Sequence, residues 1–322
     1  MTIKNKHPRV GVAIVTYNGA DWILRCLASL RDSTEPNIVV VVDNCSTDNT
    51  CDLVREHHSD VVLIDSKRNT GFGVGNNFAI AHLLRCRCEM VFLLNQDAYV
   101  LPGTLAALRI LLDGHPEIGV VSPLHCSPNE DHVDFKTFCN YLGAKTQAFC
   151  DDALMGRQLE NYQIPGINAA AWLVRSAVFN QIGGFDPLFF MYGEDDDLLE
   201  RMKEHEIIFS LLPSARVVHL RQSPGSPAPR SWIENVRRHA RRQRSVLLLL
   251  IKRPGYSQSF RLRLLLSHGL IHPLAAWLVR PDGIQLAASI VAACQLLVQI
   301  SQVRKHANRL ANRGPHFLID EA

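Results

Sequence analysis

A mostly parallel α/β sheet flanked by helices, followed by a helical and basic C-terminal extension, is the fold that the sequence predicts. Three observations lead there. Between Val10 and Val121, short apolar runs alternate with stretches of helical period, the pattern of strands joined by right-handed crossovers. Polar clusters follow directly on those runs, where ligands bind in sheets of this kind. Charge also divides along the chain. Residues 201–322 hold 19 Lys and Arg against 6 Asp and Glu, so the net charge of +3 conceals +13 in the rear and −10 in the front.

Each element has its own reason. Val10–Tyr17 is apolar throughout and reads as a buried strand, and Ala20–Arg31 follows as a helix with Trp22, Ile23, Cys26, Leu27 and Leu30 on one face. Ile38–Val42 is a second strand ending at Asp43, and Thr47–His58 a helix capped by Ser46 or Thr47. Val61–Ile64, Met90–Leu94 and Ile118–Val121 are further strands, separated by helices at Gly75–Cys86 and Leu101–Leu112. Residues 123–165 show no period. Order resumes at Gly166–Val178 and Phe185–Met202, and Val217–His219 reads as a last short strand. Arg221–Arg230 is rich in Pro, Gly and Ser and reads as a loop. The expected division is a nucleotide-binding and catalytic domain over residues 1–220 and a helical region over 221–322.

Composition removes several classes. With 47% apolar and 20% charged residues the chain is globular rather than disordered. Nine scattered cysteines, without paired spacing beyond Cys86 and Cys88, argue for reduced thiols in a cytosol. Met1–Arg9 has no apolar core, so no signal peptide is expected and the sequon Asn44-Cys45-Ser46 carries no weight. Gly71, Gly73 and Gly75 are spaced G-x-G-x-G after the third strand, which is not the G-x-G-x-x-G of a dinucleotide site, and no Walker A sequence occurs. Dehydrogenases and phosphate-loop enzymes are disfavoured.

Near residue 190 the chain reads Gly183-Gly184-Phe185-Asp186 and then Phe189-Phe190-Met191-Tyr192-Gly193-Glu194-Asp195-Asp196-Asp197-Leu198. Acids in a first helical turn complement the helix dipole. Four in a row beside aromatic side chains exceed that need. A carboxylate against a partly apolar wall is how a general base is made.

Five motifs in order resemble the inverting family-2 glycosyltransferases of GT-A, Rossmann-like fold. They are Val15-Thr16-Tyr17-Asn18, Val41-Val42-Asp43-Asn44-x-Ser46-x-Asp48, Asn69-x-Gly71-Phe72-Gly73-x-Gly75-Asn76-Asn77, Leu94-Asn95-Gln96-Asp97, and the acidic segment just described. The resemblance spans about residues 10–220 and is strongest to bacterial rhamnosyltransferases of cell-surface polysaccharide synthesis. It implies transfer of a sugar from a dTDP- or UDP-linked donor to a lipid-linked or glycan acceptor hydroxyl. Thr16, Tyr17, Asn18, Asp43, Asn69, Gly71, Asn76 and Asn95 would bind the nucleotide. Asp97 would hold Mg²⁺ or Mn²⁺, although Asn95 replaces one carboxylate of the family's Asp-x-Asp motif. His219 would be a further metal ligand, and it equally reads as a packed histidine. Asp195 would be the general base, with Glu194 the runner-up and Asp197 structural.

The tail reads separately. Arg237, Arg238, Arg241, Arg242 and Arg244 fall on neighbouring turns of one helix, beside apolar runs that include Ile284–Ile300. That last run is short and polar for a spanning helix. An amphipathic helix on an anionic membrane surface, at the inner face of the cell membrane, fits it, as does a soluble bundle. Interleaved aromatics are lacking and the front half is acidic, so nucleic acid is not an expected partner. The alternative function is a non-catalytic sugar-nucleotide-binding scaffold on the same fold.

Overall fold

The computed structural model describes residues 9–31, 35, 37–143, 145–221, 231–310 and 312–318. Its strands are β1 (Val10–Thr16), β2 (Asn37–Asp43), β3 (Val62–Asp65), β4 (Met90–Asn95), β5 (Ala98–Val100), β6 (Ile118–Cys126), β7 (Tyr162–Gln163), β8 (Ala171–Arg175) and β9 (Ile208–His219). They form one sheet in the order β3-β2-β1-β4-β8-β6-β9-β5, with β7 paired to β9. The pairs β3-β2, β2-β1, β1-β4 and β6-β9 are parallel, while β8 runs antiparallel to both β4 and β6.

The central strands are buried on both faces, which is why they read as unbroken apolar runs rather than alternating ones. On one face Ala13 and Val15 of β1 pack with Phe78, Ile80 and Leu83 of the helix Phe72–Arg85. On the other face Val12 and Ile14 meet Ile23 and Leu27 of Ile23–Arg31 and neighbour Leu105 and Leu108 of Thr104–Gly114. The topology sends the ends of β1, β2, β4 and β9 and the start of β8 to one edge, and the polar clusters lie along it.

Several expectations need correction. The last strand is twelve residues long, Ile208–His219, not three; Pro213, Ser214 and Arg216 disguise it. β5 and β7 escape the sequence, being three and two residues long. The helix after β2 begins at Thr50, and neither Ser46 nor Thr47 caps it. Asp48 Oδ1 accepts from the Thr50 N–H at 3.1 Å instead. The aperiodic region holds the short helices Phe135–Thr137, Phe138–Leu142 (a π turn) and Gln147–Leu154. Residues 222–230, expected as a loop, lie outside the described residues.

After residue 230 the chain is helical: Trp232–Ile251, Gln258–Leu266, Ser267–Ile271, His272–Val279, Gly283–Val298 and Ile300–Leu310. Side chains start three of these helices. Ser231 accepts from the Glu234 N–H, Ser257 from the Phe260 N–H, and Asp282 from the Ile284 and Gln285 N–H groups. Leu188 and Phe189 of the front half share a core with Leu247, Leu248, Ile251, Leu265, Ala292, Leu296 and Val303. Among the described residues, Gln258–Val279 is long and apolar enough to cross a membrane by length and composition, and 11% of that stretch is buried. The run expected at Ile284–Ile300 breaks near Gln299, and the helices on either side meet at 67°.

Candidate active site

At the end of β1, Thr16 is fully buried and its Oγ1 donates to Gln96 Oε1 at 2.6 Å. The same oxygen accepts from the Tyr17 N–H at 2.9 Å, so Gln96 ties the ends of β1 and β4 together. The Tyr17 ring is half-exposed at the crevice. Asn18 adopts φ 48°, and its Oδ1 accepts from the Thr47 N–H at 2.8 Å. Both oxygens of buried Asp43 hold Ser46, one from its N–H at 2.8 Å and one from its hydroxyl at 2.5 Å. A carboxylate has about four lone-pair directions, so Asp43 keeps acceptor capacity for a base N–H.

The glycine-rich segment does a packing task. Gly71 stands at φ 84°, and a Cβ there would lie 2.0 Å from the Phe190 carbonyl oxygen. Only glycine tolerates that conformation at that approach. At Gly73 a Cβ would meet the Phe185 side chain at 2.8 Å. The helix Phe72–Arg85 thereby presses onto the aromatic segment that precedes Glu194. Asn69 Oδ1 accepts from the Gly71 N–H at 3.0 Å, and the Asn76 amide donates to the Phe72 carbonyl at 3.0 Å. Both expected nucleotide-binding amides are engaged in shaping this turn.

Asp97 and His219 come together, with Oδ1 3.4 Å from Nε2. The strand that sequence reasoning missed is the cause: β5 pairs antiparallel with β9, setting Ala98 opposite His219. The Leu220 N–H also donates to the Asp97 carbonyl at 2.9 Å. Among the described residues no third His, Cys, Asp or Glu joins them to make a closed metal cluster. His219 Nδ1 and Asn95 Oδ1 are buried without a hydrogen-bond partner. An open site with one carboxylate and one imidazole fits a divalent ion whose other ligands are phosphate oxygens and water.

Gly193, at φ 85°, opens the helix Glu194–Glu204, which places all four acids in its first turn. Glu194 is buried and its Oε2 lacks a partner. Burial, reinforced by the Asp195 charge, pushes the Glu194 carboxyl up to about 8 and that of Asp196 up to about 6. Burial raises Asp195 as well. Asp195 Oδ2 accepts a long 3.5 Å hydrogen bond from the Ala169 N–H, while the neighbouring Ala170 carbonyl accepts from the Asn95 N–H at 3.0 Å. Two residues of backbone therefore join the expected base to the end of β4.

Behind the acids lies a group that the sequence did not reveal. Lys252 Nζ pairs with both Asp186 and Asp197. Arg201 Nε meets Asp197 at 3.1 Å and its terminal nitrogens donate to the Ile182 and Gly184 carbonyls at 2.7 and 2.6 Å. His306 Nδ1 lies 2.7 Å from Asp186 Oδ1. Arg244 donates to the Leu188 carbonyl at 2.7 Å. The C-terminal helices thus grip both ends of the 186–197 segment.

The family described as Glycosyl transferase family 2 matches residues 11–183, more than half of the chain, including the ends of β1, β2 and β4 and the start of β8. The chain belongs to that family. This glycosyltransferase is 29% identical over 229 residues to N-acetylglucosaminyl-diphospho-decaprenol L-rhamnosyltransferase of Mycobacterium tuberculosis, a match covering 65% of this chain and 75% of the relative. Its fold is similar to that of S. aureus TarS 1-349 solved with UDP-GlcNAc, at 18% identity, a TM-score of 0.53, and coverage of 94% and 89% of the two chains. It is also similar to the mannosyltransferase PcManGT from Pyrobaculum calidifontis in complex with GDP-Man and Mn2+, at 22% identity, a TM-score of 0.53, and coverage of 95% and 86%.

Proposed function

We propose that this enzyme transfers a hexose of the rhamnose type from a dTDP- or UDP-linked donor to a hydroxyl of a lipid-linked acceptor, with inversion, in cell-surface polysaccharide synthesis. The observation that carries the reading is the junction of Asp195, through Ala169 and Ala170, to the strand end that bears Asn95 and Asp97. The name of the mycobacterial relative supports rhamnose and a diphospholipid acceptor. Asp195 takes the acceptor hydroxyl proton as that oxygen attacks the anomeric carbon. The bond from that carbon to the diphosphate breaks, and the nucleoside diphosphate leaves from the opposite face. Tyr17, Asn18 and Asp43 hold the nucleoside end, and Glu194, mostly protonated at pH 7, adds little charge beside the base. Asp97 and His219 would hold a divalent ion, which offsets charge on the leaving diphosphate.

Replacing Asp97 with alanine should weaken Mn²⁺-dependent donor binding by about tenfold or more, the scale on which metal sites respond to lost support. Titration of a dTDP-sugar with and without chelator measures this. Full activity in excess EDTA would remove the ion from the mechanism. Asn95, an amide where the family carries an acid, favours the second reading, a non-catalytic sugar-nucleotide-binding scaffold. Donor hydrolysis by wild type and its loss in Asp97→Ala separate the two.

The enzyme acts at an anionic membrane face. Arg237, Arg238, Arg241 and Arg242 are exposed on the helix Trp232–Ile251. Each basic residue near such a surface contributes about 1 kcal/mol, screened by salt. Changing these four to glutamine should therefore release most of the protein from phosphatidylglycerol vesicles at low salt, as read by co-sedimentation. Undiminished binding would place the contact elsewhere, first on Gln258–Val279.

A further inference from the structure

The helix Trp232–Ile251 changes character along one face. Arg238, His239 and Arg242 line a small concavity of about 180 Å³, and the Arg242 guanidinium lies 5.2 Å from the centre of the Tyr192 ring. Tyr192 stands two residues before Glu194. One turn beyond Arg242 the lining becomes more apolar, with Arg280 and Asp282 as its charged members. A cavity of about 370 Å³ is walled by Val246, Leu247 and Leu250 on this helix and by Ala276, Trp277 and Leu286 across from it. A second, of about 500 Å³, shares Val246, Leu250 and His268 with the first, so the two form one trough. The second also carries charged side chains of both signs, Asp196, Glu200 and Glu204 with Arg201, Lys252 and Arg253. Around Trp277 the exposed surface also includes Ile271, Leu274, Leu278 and Val279.

We propose that this trough seats the hydrocarbon chain of a long-chain isoprenoid diphosphate, whose diphosphate rests on Arg238 and Arg242. The proposal rests on the lipid-linked acceptor of the preceding reading and gives that acceptor its place. The order of the lining selects this occupant. Two cations beside the aromatic segment of the active site suit a diphosphate. Apolar walls running away from them suit a chain. A water-soluble glycan would leave Val246, Leu250 and Trp277 without a partner, and a lone chain without a head group would leave the arginines so. From Arg242 to Leu250 the helix advances roughly 12 Å, far enough to separate head group from chain. The exposed apolar surface around Trp277 lets a longer chain pass on into the membrane.

Equilibrium binding of decaprenyl diphosphate and geranyl diphosphate, presented in the same neutral detergent micelles, tests this on the full chain. Wild type should hold the long chain more tightly, since its isoprene units meet trough walls that geranyl diphosphate is too short to reach. Val246 is 61% exposed, so V246E should keep the wild-type circular dichroism spectrum. V246E and A276E, on two different helices, should each reduce the long chain to the affinity of the short one. R242Q should weaken both probes by the same factor. No chain-length preference in wild type, or a preference kept in both glutamate variants, would overturn the trough. Sugar transfer measured on the same preparations keeps the two readings apart. Loss of transfer with the preference intact would sink the acceptor reading and leave the trough standing.

Discussion

Asp195→Asn is expected to lower kcat by roughly 10²-fold or more, the usual contribution of general acid–base catalysis, with donor affinity nearly unchanged. The asparagine retains the shape, so the bond from the Ala169 N–H can persist while the proton acceptor is lost. The pH dependence has a definite sign. A base works only when ionised, and burial raises the Asp195 carboxyl above its ordinary value. Turnover should therefore climb with pH through a value above the ordinary aspartate range, and that limb should vanish in the variant. Glu194 cannot substitute fully, because burial and the adjacent charge hold its carboxyl near 8 and it is mostly protonated at neutral pH. Initial rates of transfer between pH 4 and 9 measure both effects. Turnover near wild type in Asp195→Asn would move the role to Glu194.

Lys252→Met should destabilise the fold by about 3–5 kcal/mol, the range for removing one partner of a buried ion pair. Asp186 and Asp197 would remain buried with His306, Arg201 and the more distant Arg244 as charged neighbours among the described residues, since Lys252 is itself 5% exposed between them. Burial opposes ionisation of Asp186, yet the His306 hydrogen bond and the Lys252 charge hold its carboxyl well below the usual range. A depressed folded-state value means that this stabilisation is present above about pH 4 and is lost as pH falls through the folded value. Urea denaturation at pH 7 measures the loss. Unchanged stability would mean that the helices beyond residue 230 hold the 186–197 segment by apolar packing alone.

What the sequence made legible follows its physics. Strands buried on both faces announce themselves as apolar runs, so β1 to β4 were readable within a residue or two, and the polar residues at their ends located the crevice. Short strands bury too few residues to leave a period, and β5 is lost that way although its pairing with β9 brings Asp97 to His219. Nothing in the Asn95-Gln96-Asp97 motif marks Gln96 as the residue whose side chain ties β4 to β1. Lys252 was counted among the basic residues of the tail. Its partners lie 66 and 55 positions earlier in the chain, a separation that no local pattern encodes. One signal was available: a single lysine directly after the apolar run Val246–Ile251 is poorly placed for solvent.

The measurement that bears most directly on the account is proton NMR of the product formed from dTDP-rhamnose and N-acetylglucosaminyl-diphospho-decaprenol, with Mn²⁺ present and wild type set beside Asp195→Asn. A single displacement assisted by Asp195 gives one new glycosidic linkage whose anomeric configuration is opposite to the donor's, formed by wild type and nearly absent with the variant. A product that retains the donor's configuration, or equal product from both proteins, would contradict it.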